Sequence, residues 1–117
     1  MIEGAHIDKK SHAKDVFKMM EYLLSFDNSV AYVKQKLYAQ NIAIIVTADH
    51  ETGGLKFVKD KTKINNSLYE GKGHTSKDVP YYFYLNPKNS ALSIKLPQKI
   101  DNTDVFKITK ALLCASW

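Results

Sequence analysis

A chain of 117 residues, 44% apolar and 25% charged, is one domain at most or a piece of a larger one, and no apolar run nears the ~20 residues of a membrane span. Its net charge of +5 suits an anionic partner, yet the lysines run from Lys9 to Lys110 without the basic, aromatic-interleaved block of a nucleic-acid groove. The single cysteine, Cys114, excludes an internal disulfide framework and a cysteine-rich zinc site.

In chain order, the opening MIEGAHIDKKSH holds Glu3, Asp8 and half of the chain's four histidines, an unusual density for a chain end. It lacks the basic stretch and apolar run of an export signal, which says nothing about export if coding sequence lies upstream. From Ala13 to about Ala39 the residues Val16, Met19, Met20, Leu23, Phe26, Val30, Val33 and Leu37 recur at helical spacing. They predict a long amphipathic helix with Lys14, Lys18, Lys34 and Lys36 on its other face, stopped at Asn41. IAIIV, Ile42 to Val46, is a continuous β-branched run, expected as a strand covered on both faces. The stretch from Glu51 to Pro80 is rich in glycine, lysine and asparagine and reads as loops, with a short strand around Leu55 to Val58. YYFYL, Tyr81 to Leu85, is a second clear strand between Pro80 and Pro87. NTDVFKITKALL predicts a terminal helix capped at Asn102 or Thr103, followed by an isolated Trp117. So few elements cannot cover a parallel sheet on both faces and both edges, so the expected fold is α/β with an incomplete sheet.

Three clusters carry candidate chemistry. Asp8 and His12 stand four apart, so one helical turn would aim both at one metal. Asp49 and His50 directly follow the apolar strand, and ligands of α/β folds gather outside the carboxyl ends of strands. His74 lies in GKGHTS, where glycines allow close approach. Each alone has a plain explanation: a solvated helix face, a loop cap, an exposed loop histidine. His6 keeps that plain explanation, since it alternates away from Asp8. Together, histidine and carboxylate donors suit zinc, and three protein ligands with an open position describe a catalytic site. Glu3, a hard oxygen donor, suits magnesium better. Several metals with lysines nearby point to hydrolysis of a phosphate ester.

The stretches IEGAHIDKKSHAKD, IIVTADHETGGL, HTSKDVPYYFY and NTDVFKI resemble, in order and content, the carboxyl-terminal part of alkaline phosphatases, over essentially all 117 residues. The resemblance implies a central, mostly parallel sheet flanked by helices, of which residues 1–117 would be a single partial domain. It implies Asp8, His12 and His74 as ligands of a first zinc, Asp49 and His50 as ligands of a second, and Glu3 as a magnesium ligand. The implied cofactors are therefore two Zn2+ and one Mg2+. Lys9 would stand near the substrate phosphate, and Thr75 would support His74. The implied reaction is hydrolysis of phosphomonoesters, in a family whose enzymes are typically homodimers and periplasmic or extracellular. The family's nucleophilic serine is expected upstream: Ser67, Ser76, Ser90 and Ser93 lack the adjacent aspartate, and the chain has no arginine to grip phosphate. The chain is thus expected to be a fragment that does not turn over substrate alone. Two alternatives stand beside this reading. One is an inactive truncated product that only binds zinc. The other is a sister metalloenzyme such as cofactor-independent phosphoglycerate mutase, against which the Glu3 to Asp8 spacing and ADHETGG weigh.

Overall fold

The computed structural model describes residues 1–40, 42–86 and 96–115. Asn41, Pro87, Ser90, Ser93 and Trp117, read from sequence as a helix stop, a strand boundary, two discounted serines and an isolated aromatic, lie outside the described residues.

The apolar stripe from Val16 onward forms a helix, but a separate short helix precedes it. α1 (Ala5–His12) ends where Lys14 takes a left-handed backbone angle, φ 56°. Lys14 N–H then donates to Ser11 O at 2.9 Å and Asp15 N–H to Lys10 O at 2.9 Å, the paired bonds that satisfy the last carbonyls of a helix. Asp15 immediately caps α2 (Val16–Lys36) by accepting from Lys18 N–H at 3.1 Å. The helix predicted from Ala13 therefore begins at Val16, with three residues between it and the end of α1, and the chain doubles back.

α2 lays Val16 and Met19 against α1 and a buried Tyr69; Ile7, Leu55 and Ile64 pack around this centre. Asn66 Oδ1 accepts from Val16 N–H at 3.0 Å, tying the loop region to the start of α2. Further along, the helix is less covered: Met20 and Leu23, assigned to the apolar stripe, are exposed. Among the described residues no helix is long and apolar enough to cross a membrane.

β1 (Ala43–Thr47) pairs antiparallel with β4 (Tyr81–Leu85), in register from Ala43 with Leu85 to Thr47 with Tyr81. β2 (Glu51–Thr52) pairs antiparallel with β3 (His74–Thr75). Both pairings among the described residues are antiparallel, so the expected parallel sheet is not among them. A parallel partner needs a crossover element, and the chain between β1 and β4 holds only the short strands and 3-10 turns at Lys61–Lys63 and Asn66–Leu68. Nor is β1 covered on both faces: its ends are exposed and its middle half-buried. The strand expected at Leu55 to Val58 does not form; that backbone instead sends Lys56 N–H to Leu68 O at 2.9 Å.

Asn86, buried after β4, donates its side-chain amide to Gln40 O at 2.8 Å and to Tyr38 O, fastening the sheet to the end of α2. α3 (Asn102–Ala115) is capped one residue earlier than predicted. Asp101 Oδ1 accepts from Thr103 N–H at 2.9 Å while Asp104 Oδ2 accepts from Asp101 N–H at 3.0 Å, a reciprocal box.

Candidate metal centre

α1 sets Asp8 and His12 one turn apart, with His12 Nε2 3.3 Å from Asp8 Oδ1. The turn between β1 and β2 carries Asp49 and His50, whose Oδ2 and Nε2 also lie 3.3 Å apart. β3 delivers His74 between them. Its Nε2 is 3.2 Å from His12 Nε2, and its ring stacks on His50 with centroids 3.5 Å apart. One ligand atom each from Asp8, His50 and His74 falls within 4.8 Å of the others. His12 joins them through Asp8 and His74. Three separate stretches of sequence thus supply one cluster.

Other residues singled out in the sequence lie apart from that group. Asp49 is at its margin, its side chain 88% exposed. Glu3 is exposed ahead of α1, beside a shallow cleft lined by His6, Tyr22, Ser25 and Phe26. Lys9 is exposed on α1. His6 stacks on Tyr22, centroids 4.7 Å apart.

Hydrogen bonding fixes which histidine nitrogens face inward. A carbonyl only accepts, so the contact of His12 Nδ1 with Lys72 O makes Nδ1 the protonated nitrogen. Thr52 has one hydroxyl proton and gives it to Asp8 Oδ1 at 2.7 Å. Its contact with His50 Nδ1 at 3.2 Å must then be received from that nitrogen. In the neutral ring, each Nε2 then carries the lone pair, 3.3 Å from a carboxylate oxygen. Two such acceptors repel unless a proton or a metal cation lies between them. Histidines that donate one nitrogen outward and present the other inward, beside hydrogen-bonded carboxylates, are the donor set of a zinc site. The residues present therefore fit the metal that the sequence suggests.

The supports of this cluster are mostly not the residues that sequence singled out. Gly53 and Gly54, at φ 84° and 63°, turn the chain directly after β2. A side chain on Gly53 would stand 2.6 Å from Tyr69 Cδ1, so only glycine lets that ring close over the turn. Tyr69 Oη donates to Ser11 Oγ at 3.2 Å, and Ser11 Oγ donates to Ile7 O at 2.9 Å. This stack sets α1, with Asp8 and His12, against the glycine turn that follows β2. Thr75, expected to support His74, donates its hydroxyl to Glu51 Oε2. Burial alone would raise the Glu51 carboxyl. The Thr75 hydroxyl, the N–H groups of Leu55 and Gly54, and Lys77 outweigh it and hold the carboxyl below its ordinary value. Thr52 and Glu51 follow His50 directly, and a threonine follows His74, so adjacency to histidine was the available signal. Nothing in sequence marks Tyr69 or the Lys72 carbonyl.

Comparison with known proteins gives the following. The family model described as alkaline phosphatase matches residues 1–110. An alkaline phosphatase of Schizosaccharomyces pombe is 37% identical over 67 residues, covering 54% of this chain and 12% of that protein. A repressible alkaline phosphatase of Saccharomyces cerevisiae is 37% identical over 59 residues, covering 47% of this chain and 10% of that protein. The chain thus matches only about a tenth of the length of either relative. No solved structure matches.

Proposed function

The chain belongs to the alkaline phosphatase family, and from that premise we propose that it serves metal-dependent hydrolysis of phosphomonoesters as the carboxyl-terminal part of a longer enzyme. The observation that carries this is the convergence of one ligand atom each from Asp8, His50 and His74 within 4.8 Å, with His12 Nε2 3.3 Å from Asp8 Oδ1 and 3.2 Å from His74 Nε2. Asp8, His12 and His74 would hold one zinc, Asp49 and His50 would take part in holding a second, and Glu3 would contribute to a magnesium site. Bound divalent ions would supply positive charge at the attacking and leaving oxygens of the ester. The chain's own residues do the preparatory work. Lys72 O and Thr52 orient the two imidazoles, and the Thr52 proton on Asp8 Oδ1 fixes that carboxylate's rotamer. Lys9, exposed beside Asp8 in sequence, would attract the phosphate.

The nucleophile is not supplied by this chain under that reading, since no serine follows an aspartate and no arginine is present. This favours, for the 117 residues by themselves, zinc binding without turnover. Both statements are tested together. Titration of the chain with Zn2+ should show saturable uptake that His12→Ala and His50→Ala each weaken. The same zinc- and magnesium-loaded chain should leave p-nitrophenyl phosphate intact. Absence of saturable uptake removes the metal reading. Turnover abolished by His12→Ala removes the fragment reading.

A further inference from the structure

We infer that Glu51 is a positioning residue, whose carboxylate locks the strand bearing His74 against the strand that follows His50 and so sets the spacing of the two imidazoles. The inference rests on the reading of His50 and His74 as metal ligands. Glu51 Oε2 accepts from Thr75 Oγ1 and from Gly54 N–H at 3.1 Å, while Oε1 accepts from Leu55 N–H at 3.2 Å. One carboxylate thus gathers three donors, one from β3 and two from the turn after β2.

The need for such a device follows from the elements themselves. β2 and β3 are two residues each, pairing Glu51 with Thr75 and Thr52 with His74. An isolated ladder of that length has little stability of its own. Yet it must hold the His50 and His74 rings at 3.5 Å and keep their ligand atoms within 4.8 Å of Asp8. A working ligand set tolerates only about 0.5 Å of error. Backbone bonds beyond the ladder help, with Gly53 N–H to Gly73 O at 2.8 Å and Gly71 N–H to Gly53 O at 3.0 Å. Those bonds run between glycines, beyond the level of His74 in the ladder. Glu51 supplies the side-chain link at the level of the histidines. An ionised carboxylate is acceptor-only and matches three converging donors, whereas an amide would turn N–H groups toward one of them.

The test is a Co2+ titration of the full chain followed by visible absorption, with Glu51→Gln, Thr75→Val, Thr75→Ser and His74→Ala. Far-UV circular dichroism checks that each variant is folded. Glu51→Gln and Thr75→Val should each weaken Co2+ binding by about tenfold or more and change the absorption envelope. Thr75→Ser keeps the hydroxyl and should bind as the parent does. If Glu51→Gln does not fold, Thr75→Val breaks the same bond and decides the matter. Parent-like Co2+ affinity and spectrum in a folded Glu51→Gln or Thr75→Val chain overturn the inference while leaving the metal site standing. A change in thermal midpoint with an unchanged Co2+ spectrum overturns it too, because it shows a purely structural role. If the parent takes up no Co2+, or His74→Ala binds as the parent does, the metal reading falls and this inference with it.

Discussion

At the scale of single residues, the cluster depends on an absence at position 53 and a hydroxyl at position 69. Gly53→Ala would place a methyl against the Tyr69 ring at a backbone angle of 84°. Strain of that kind costs about 1–3 kcal/mol, so the substitution should lower the urea midpoint and weaken Zn2+ uptake together. An unchanged midpoint would show that the ring moves aside at no cost. Tyr69 itself gives a pH dependence. Burial is the main cause that raises its phenol above the ordinary 10.0; the charges of Asp15 and Glu51 add to it, and the Ser11 hydroxyl opposes. Below that ordinary value both folded and unfolded chains keep the proton, and the contribution is fully present. Above it the unfolded chain ionises first, so stability falls as pH rises through the raised folded value. Urea midpoints measured up the alkaline range should therefore decline less steeply in Tyr69→Phe than in the parent. Equal slopes would mean that the phenol is not held protonated by the fold.

At the scale of elements, the junction of α1 and α2 decides whether Asp8 and His12 meet His50 and His74. Lys14 holds the left-handed position that ends α1, where a residue with a side chain pays roughly 1–2 kcal/mol. Glycine there gives back roughly 0.5–1 kcal/mol through its freer unfolded chain. Lys14→Gly should thus raise stability by about 0.5–1 kcal/mol and leave metal uptake unchanged, readable as a higher urea midpoint. A lower midpoint would mean that the lysine side chain itself contributes to the junction. The same junction shows why part of this fold was legible in sequence and part was not. The 3.6-residue stripe of α2 and the β-branched run of β1 are written in apolar spacing, and both formed close to where they were expected. The break before Val16 rests on two backbone bonds and one positive φ at a lysine, for which no residue type gives a signal. The antiparallel partner of β1 was invisible for a similar reason: spacing reports burial, while pairing direction depends on how the connecting chain returns. Likewise Asp8, His12, His50 and His74 were legible because histidine and carboxylate are recognisable donor types at readable spacings. The Lys72 carbonyl and the Tyr69 stack support them through the backbone and through packing, which the local sequence does not encode.

At the scale of the molecule, the described core is small for the chain's length. Val16, Met19 and Tyr69 are its buried apolar residues, whereas Phe17, Leu24, Tyr32, Phe57, Tyr82, Phe106 and Leu113 are each at least 60% or, for Phe57, 99% exposed. α2 is apolar on more than the face it packs, the mark of a helix that belongs between two layers. The radius of gyration is 16.6 Å, against about 13 Å for a compact chain of this size. So many exposed large apolar side chains are unusual for a stable monomer. A chain meeting water in this form lowers its free energy by covering those faces with other copies. We therefore expect the isolated chain to enhance 8-anilinonaphthalene-1-sulfonate fluorescence and to sediment as a mass that grows with concentration. Leu24→Glu with Phe106→Glu, at exposed positions on α2 and α3, should reduce both signals without altering Zn2+ uptake. A monodisperse monomer that leaves the dye dark would show that the chain closes its own apolar faces. Loss of Zn2+ uptake in the double variant would tie those faces to the ligand cluster, and association could then no longer be separated from assembly of the site.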